Sequence, residues 1–222
     1  FFSGKNKIVK KEFRYLYIPN IVDTNLFNFK KRKKNKNLTI LCVGFFSKIK
    51  NQKILYNSWK RISKKIKCKL HFVGIKNMNY YLANNDELDY IIEDSKKNKL
   101  LQDITFSEDL KNMADVYKSA DIFVLPSLTE GMPNALLEAM STGLPSITSN
   151  LKFITTPLVN HGVNGFLFNP NNSYQLEKYL LSLLSSKKLR DKMAIKARQH
   201  IVQKHSSKFF LQHKFMYDQL LS

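Results

Sequence analysis

The chain has 222 residues, 43% hydrophobic and 12% aromatic, with 37 Lys and Arg against 17 Asp and Glu for a formal net charge of +20. That apolar content suffices for a buried core and excludes a disordered polyelectrolyte, and no apolar run is long enough to span a bilayer. The charge bears on partners rather than on fold, and it favours phosphorylated substrates, anionic lipid or nucleic acid.

The excess is uneven: residues 1–37 carry 11 basic and 2 acidic side chains, residues 173–222 carry 10 and 3, and residues 38–172 carry 16 and 12. An A/T-biased coding sequence accounts equally well for the abundance of Lys and Asn. In chain order, residues 15–18 read as a short strand, broken by Pro19-Asn20. Residues 21–27 form a turn with apolar anchors, and residues 30–37 a solvated basic loop. From Leu38 onward strands and helices alternate. Residues 38–43 read as a buried strand ending at Gly44. Residues 51–66 form an amphipathic helix with Leu55, Trp59, Ile62 and Ile66 on one face. Strands follow at 70–73, stopped by Gly74, and at 104–106, with a helix over 80–95 between them. Asp109 is placed to cap a helix reaching Ser119, with Leu110, Met113 and Tyr117 inward. Residues 121–125 are a strand, 134–142 a helix stopped by Gly143, and 144–148 and 166–168 the last strands. Two or three helices run from Ser173 to the end.

Short apolar strands alternating with helices predict βαβ units in a Rossmann-like, doubly wound parallel sheet with helices on both faces. Ligands of such sheets bind beyond the carboxyl ends of the strands. Gly44, Gly74, Ser107 and the loop 126–131 all fall at strand exits and are expected along one rim. Two acids flank that region, Glu130 at a strand exit and Glu138 inside the next helix. Between them lie main-chain amides at a helix start, which attract anions, while carboxylates accept from sugar hydroxyls. On helix geometry alone Glu138 points away from Leu136 and Met140, toward Asn134, Ser141 and Thr142, and a solvated surface acid is the competing reading. Lys50, at the start of a helix, is placed to meet a phosphate, and a solvated lysine is its competing reading.

Other chemistries find no support. There is no G-x-G-x-x-G fingerprint, no G-x-x-x-x-G-K-[ST] loop and no G-x-S-x-G elbow. The five histidines show no metal-ligand spacing; His200 and His205 are not expected to share a helix face, and His71 reads as a satisfied core residue. Cys42 and Cys68 lie in apolar runs and read as buried small hydrophobes. The aromatic and basic residues around Phe209, Lys214 and Tyr217 fit a C-terminal helix, residues 206–222, docked on the core better than a nucleic-acid surface. The first residue is Phe rather than Met, so the chain reads as a fragment.

Taken together, these residues resemble the C-terminal, donor-binding domain of the family 4 glycosyltransferases, one half of a GT-B fold. The matching pieces are Pro19-Asn20-x-Val22-Asp23-x-x-x-Phe27, Val43-Gly44 with Lys50-Asn51-Gln52, residues 70–74, residues 120–127, the run Glu130-Gly131-Met132-Pro133-Asn134-Ala135-Leu136-Leu137-Glu138-Ala139-Met140, Gly143-Leu144-Pro145 and Gly162-Val163-Asn164-Gly165. The resemblance spans residues 15–205. It implies an interdomain entry segment at 1–37, a nucleotide-sugar-binding domain at 38–205 and a missing N-terminal acceptor domain. It also implies retaining transfer of a hexose-type sugar from a nucleotide sugar, with no metal or other cofactor, to a cell-surface polysaccharide or lipid-linked acceptor. The setting is cytoplasmic, at the inner face of a membrane.

By that resemblance Glu130 and Lys50 are catalytic: Glu130 binds hydroxyls of the transferred sugar and Lys50 neutralises the departing diphosphate. Gly44 and the loop of Gly131, Met132, Pro133, Asn134 and Ala135 bind the donor, and Glu138 grips the ribose. Gly74, Phe106 and Ser107 are candidates for the base pocket. Two positions depart from the family pattern. Phe45 stands where Arg is common, which removes one of two diphosphate cations unless Lys48 substitutes, and residues 150–157 lack a Gly-Gly-x-x-Glu loop. These departures support an alternative, a non-catalytic anion- or membrane-surface-binding module that kept the fold.

Overall fold

A computed structural model of the chain describes residues 20–31, 37–74, 86–108, 112–208 and 211. Its elements in order are β1 (Leu38–Val43), α1 (Gln52–Ser63), β2 (Cys68–Val73), α2 (Asp86–Lys97), β3 (Ile104–Ser107), α3 (Met113–Ser119), β4 (Ile122–Leu125), α4 (Asn134–Ser141), β5 (Ser146–Ser149), β6 (Gly165–Phe168), α5 (Ser173–Ser185) and α6 (Lys187–Lys204). The six strands form one sheet in the order β3-β2-β1-β4-β5-β6, and every pairing is parallel.

Parallel strands joined by helical crossovers must be covered on both faces, and the central strands β1 and β4 are apolar but for Thr39 for that reason. Ile40 and Cys42 of β1 and Ile122 and Val124 of β4 face one cluster, with Leu55, Tyr56 and Trp59 of α1 and Leu180 of α5. The alternate residues, Leu41, Phe123 and Leu125, face a second cluster with Leu136 and Met140 of α4 and Ala197 and Ile201 of α6. Both cysteines are buried and unbridged. Burial pushes the Cys42 thiol up to about 12 and the Cys68 thiol to about 11, so both stay protonated and pack as small apolar groups.

The order of the strands locates the crevice. The chain builds β1, β2 and β3 outward on one side, then returns to lay β4 against the other side of β1. At that reversal the loops after β1 and β4 separate above the sheet and leave a cleft beyond the carboxyl ends.

All six strands foreseen from Leu38 onward are present, with local corrections. β5 starts at Ser146 rather than 144, because Pro145 has no amide to give the ladder. The α3 cap is Asn112, with Oδ1 accepting from the Asp115 amide at 3.4 Å and the helix starting at Met113; Asp109, the expected cap, lies outside the described residues. The helix expected over 80–95 is described from Asp86 and runs on to Lys97; residues 80–85 and the strand expected at 15–18 lie outside the described residues. Beyond α6 the chain is helical at Ser207, Lys208 and Leu211, and the rest of the expected C-terminal helix lies outside the description. His200 and His205 share no helix face, since α6 ends at Lys204 and His205 is its C-cap, and off the helical track the His205 ring lies with its centroid 5.9 Å from that of His200.

One side chain anchors residues 20–31 to this sheet domain. Arg198 of α6 donates through Nη1 to the carbonyls of Phe27 (3.0 Å) and Ser141 (2.9 Å) and to Ser141 Oγ (2.8 Å), and through Nη2 to the Thr24 carbonyl (3.0 Å). Asp23 shapes the same turn, with Oδ1 accepting from the amides of Asn25 and Leu26. Replacing Arg198 by Leu takes a charged donor from three carbonyls at once, of which the Phe27 carbonyl keeps the Ser141 hydroxyl at 2.7 Å. Hydrogen bonds to a charged group contribute roughly 1.5–3 kcal/mol, so Arg198→Leu is expected to lower the unfolding free energy by about 2–3 kcal/mol in a urea titration. A loss below about 0.5 kcal/mol would show that apolar packing of Val22 and Phe27 holds the segment unaided.

Candidate functional site

The loop after β1 is set by its backbone. Gly44 adopts φ +149° and its amide donates to the Val73 carbonyl at 2.8 Å. A Cβ on Gly74 would lie 2.0 Å from the Gly44 carbonyl oxygen, so only glycine lets the β1 and β2 exits approach this closely. Gln52, fully buried, donates to the carbonyls of Phe45 (2.8 Å) and Gly44 (3.3 Å) and holds the turn in place. Asn51 takes a left-handed conformation (φ 55°) and spends its side chain on the carbonyls of Pro126 (3.3 Å) and Pro170 (3.2 Å) instead of capping α1. The loops after β1, β4 and β6 are thereby tied together, and the Leu128 amide adds a bond to the Ile49 carbonyl at 2.7 Å.

Lys50 and Glu130 meet across the crevice. Lys50 Nζ lies 2.8 Å from Oε1 and 2.9 Å from Oε2 of Glu130, and Ser127 Oγ donates to Oε1 at 2.6 Å. The side chains are 20% and 6% exposed respectively, so the pair is shielded but open on the lysine side. The Phe45 ring centroid is 5.5 Å from the same Nζ, so the residue standing where Arg was expected meets Lys50 with its aromatic face. Lys48 is exposed, and its charge helps to lower the Glu87 pKa.

Two helices begin at this crevice, and their N-termini differ. The α1 start is occupied: the buried Glu87 of α2 accepts from the Lys53 amide at 3.3 Å. Burial raises the Glu87 pKa, and this amide offsets part of the rise. The α4 start has no side-chain cap. The Asn134 amide turns back to the Met132 carbonyl at 2.9 Å and is spent. The amides of Gly131, Met132 and Ala135 make no hydrogen bond among the described residues. Uncapped helix amides carry the positive end of the helix dipole, so the α4 start is the one suited to an incoming anion. α3, α5 and α6 are capped by Asn112, Asn172 and Ser186.

Glu138 is not a solvated acid. It sits one turn into α4, half-buried, and the fully buried Tyr117 of α3 donates its hydroxyl to Oε2 at 2.7 Å. Burial raises the Glu138 pKa, and the Tyr117 bond works against the rise. A cleft of about 370 Å³ runs beside it, lined by Asn20, Val22, Asp23, Asn134, Leu137 and Glu138 among others. No hydrogen bond joins Glu138 to the Lys50–Glu130 pair among the described residues.

The expected base-pocket residues lie at the β3 edge and are partly engaged. The Phe106 ring stacks on Phe72 at 5.8 Å, and Ser107 Oγ pairs with His71 Nε2 at 2.8 Å. Residues 150–157 carry no acid; Thr155 Oγ1 ties this loop down to the Ser149 carbonyl at 2.6 Å. Sequence reasoning missed Ser127, Tyr117 as the partner of Glu138, and Glu87 at α1. Ser127 alone had a local signal, lying three residues before Glu130 at a strand exit.

Six parallel strands that reverse direction of build between β1 and β4, covered by helices on both faces, define a Rossmann-like domain. The glycosyl transferases group 1 family matches residues 23–200, and the chain belongs to that family. It is 32% identical over 199 residues to an uncharacterised glycosyltransferase of Haemophilus influenzae, covering 88% of this chain and 54% of that one. A 91-residue stretch, 41% of this chain and 22% of the other, is 42% identical to the UDP-Gal:alpha-D-GlcNAc-diphosphoundecaprenol alpha-1,3-galactosyltransferase of Escherichia coli. The fold matches the crystal structure of the C-terminal domain of LpcC, a glycosyl transferase group 1 protein of Francisella tularensis. That match has a TM-score of 0.71 at 22% identity and covers 84% of this chain and 99% of that domain. The fold is thus that of a GT-B C-terminal domain, and the chain spans about half the length of the Haemophilus relative.

Glu138 carries a stability consequence. Its folded-state pKa lies above the ordinary carboxylate value, so the folded protein is penalised wherever the group must be charged. Relative stability is full below the unfolded pKa and falls as pH rises through the folded one. Glu138→Gln keeps an acceptor for Tyr117 and removes the charge. The variant is expected to be more stable than the parent at pH 7, with the advantage vanishing below roughly pH 4, near the model-peptide carboxylate value. Urea titrations at both pH values check this; an equal advantage at both would show that charge is not the cause.

Proposed function

We propose that this chain is the donor-binding half of a retaining glycosyltransferase that moves a hexose-type sugar from a nucleotide sugar to a lipid-linked or cell-surface polysaccharide acceptor at the cytoplasmic face of a membrane. The observation that carries it is the uncapped start of α4, four residues beyond the Glu130 carboxylate that holds Lys50. In this reading the amides of Gly131, Met132 and Ala135 and the Lys50 ammonium, once released from Glu130, together receive a diphosphate. The E. coli relative, whose name specifies a UDP-sugar donor and a diphosphoundecaprenol-linked acceptor, supports both ends of the reading.

In this reading the donor enters by exchange. The diphosphate takes Lys50 from Glu130, since it offers more negative charge than one carboxylate. Glu130, freed but still held by Ser127, accepts from hydroxyls of the transferred sugar. Glu138, oriented by Tyr117, accepts from the ribose with its other oxygen. During transfer the bond from the anomeric carbon to the diphosphate oxygen breaks, and its electron pair stays on that oxygen. The acceptor oxygen bonds to the anomeric carbon and gives up its proton to the departing diphosphate oxygen. Lys50 and the α4 amides stabilise charge where it develops on the leaving diphosphate, which is commonly the largest catalytic contribution. The acceptor-binding half lies outside this chain in the proposal, so the isolated chain binds donor without efficient transfer.

Calorimetric titration with UDP, GDP and ADP and their sugars tests the reading. One nucleotide is expected to bind, with Lys50→Ala and Glu138→Ala each weakening it by about tenfold or more, the loss of roughly one charge-assisted contact. Absence of binding by all three, or affinity unchanged in both variants, would refute it.

A further inference from the structure

α6 presents an outward face that the donor reading does not use. From Lys187 to Lys204 the helix carries seven basic residues and one acid. Three of the basic residues have structural work. Lys187 pairs with Asp191, Arg190 donates to the Leu183 and Leu184 carbonyls at the end of α5, and Arg198 holds the entry turn. Lys188, Lys192 and Lys196 recur every fourth residue, so they share one stripe, and they make no ion pair among the described residues. Ile195 lies on that stripe at 50% exposure.

Beside the amino-terminal half of this stripe is a groove of about 360 Å³, floored by Phe29, Pro145, Ala194 and Ile195 with Lys31 on its rim. Phe29 is 39% exposed, and its ring packs over Gly143, where a Cβ would come within 2.5 Å of it. Solvated lysines alone would be unremarkable on so basic a chain. Large apolar side chains left open among them are what a bilayer interface uses, with cations at the phosphates and apolar groups below.

We propose that the outward face of α6 and this groove form a docking surface for a bilayer containing anionic phospholipid. Charge complementarity selects the occupant: the surface is cationic with an apolar floor, and residues 38–172, which hold the donor loops, are nearly balanced. α6 starts near the amino end of β5, at Pro145, and ends where His205 meets Asn20, whose side chain in turn donates to Asn134 at the α4 start. The docking face therefore runs up one flank of the domain toward the crevice and leaves the crevice itself open. The proposal stands independently of the donor reading.

Sedimentation of the 222-residue chain with vesicles tests it, comparing equimolar phosphatidylglycerol and phosphatidylcholine with phosphatidylcholine alone. Binding is expected to the anionic vesicles only, and to weaken with added salt. Lys192→Glu combined with Lys196→Glu should reduce it by roughly thirtyfold or more, on the usual contribution of each lysine near an anionic surface. Ile195→Gln should weaken binding severalfold while leaving its salt dependence unchanged. All variants change exposed residues, and nucleotide titration alongside should show donor affinity unaltered. Equal binding to neutral vesicles would overturn the proposal, as would full retention in the double variant. Tighter binding to duplex DNA at matched phosphate concentration, lost in the same double variant, would assign the surface to nucleic acid instead.

Discussion

The contact between Lys50 and Glu130 is the constraint on which the candidate site depends. It joins the loops after β1 and β4, the two strands that part at the reversal of the sheet. A carboxylate only 6% exposed needs a partner, because an unpaired charge there would cost several kcal/mol, on the order of 3–5 when one member of a buried pair is removed. Ser127 and Lys50 together satisfy it, and in doing so they set Lys50 over the crevice rather than in bulk solvent. The same shielding strengthens whatever Lys50 attracts next, since the local dielectric falls as water is excluded.

A second asymmetry decides which end of which helix is usable. Both α1 and α4 begin at the crevice, yet only α4 does so without a carboxylate in place. Glu87 sits against the α1 amides as a built-in anion, and that arrangement closes one of two equivalent-looking positions. The exposed amides of the α4 loop and the raised pKa of Glu138 are both features that folding alone does not reward. Groups held in states that cost stability cluster where ligands bind, because the ligand supplies the missing partner.

The sheet was readable because its signal is local. Runs such as Ile122-Phe123-Val124-Leu125 are apolar on both faces, which a doubly covered parallel strand requires and a solvated loop does not tolerate. The capping of α3 was misread because Asp109 and Asn112 are both good cap residues and propensity cannot choose between them. The site was readable only to the level of which residues stand at strand exits. That Glu130 is held by Lys50, 80 positions earlier, and Glu138 by Tyr117, 21 positions earlier, follows from packing between elements. Periodicity gave Tyr117 an inward direction without naming what it meets. Glu138 illustrates the limit most clearly: helix geometry pointed it away from Leu136 and Met140, but only the position of α3 covers it. Arg198 looked like one more cation on a lysine-rich helix, and its four acceptors lie up to 174 positions away.

A crystal structure of the chain with bound UDP tests the central claim most directly. The account predicts diphosphate oxygens within hydrogen-bond distance of the Ala135 amide and of Lys50 Nζ, with the Lys50–Glu130 contact opened. Nucleotide lodged elsewhere, with Lys50 still clasped by Glu130 and the α4 amides untouched, would contradict it.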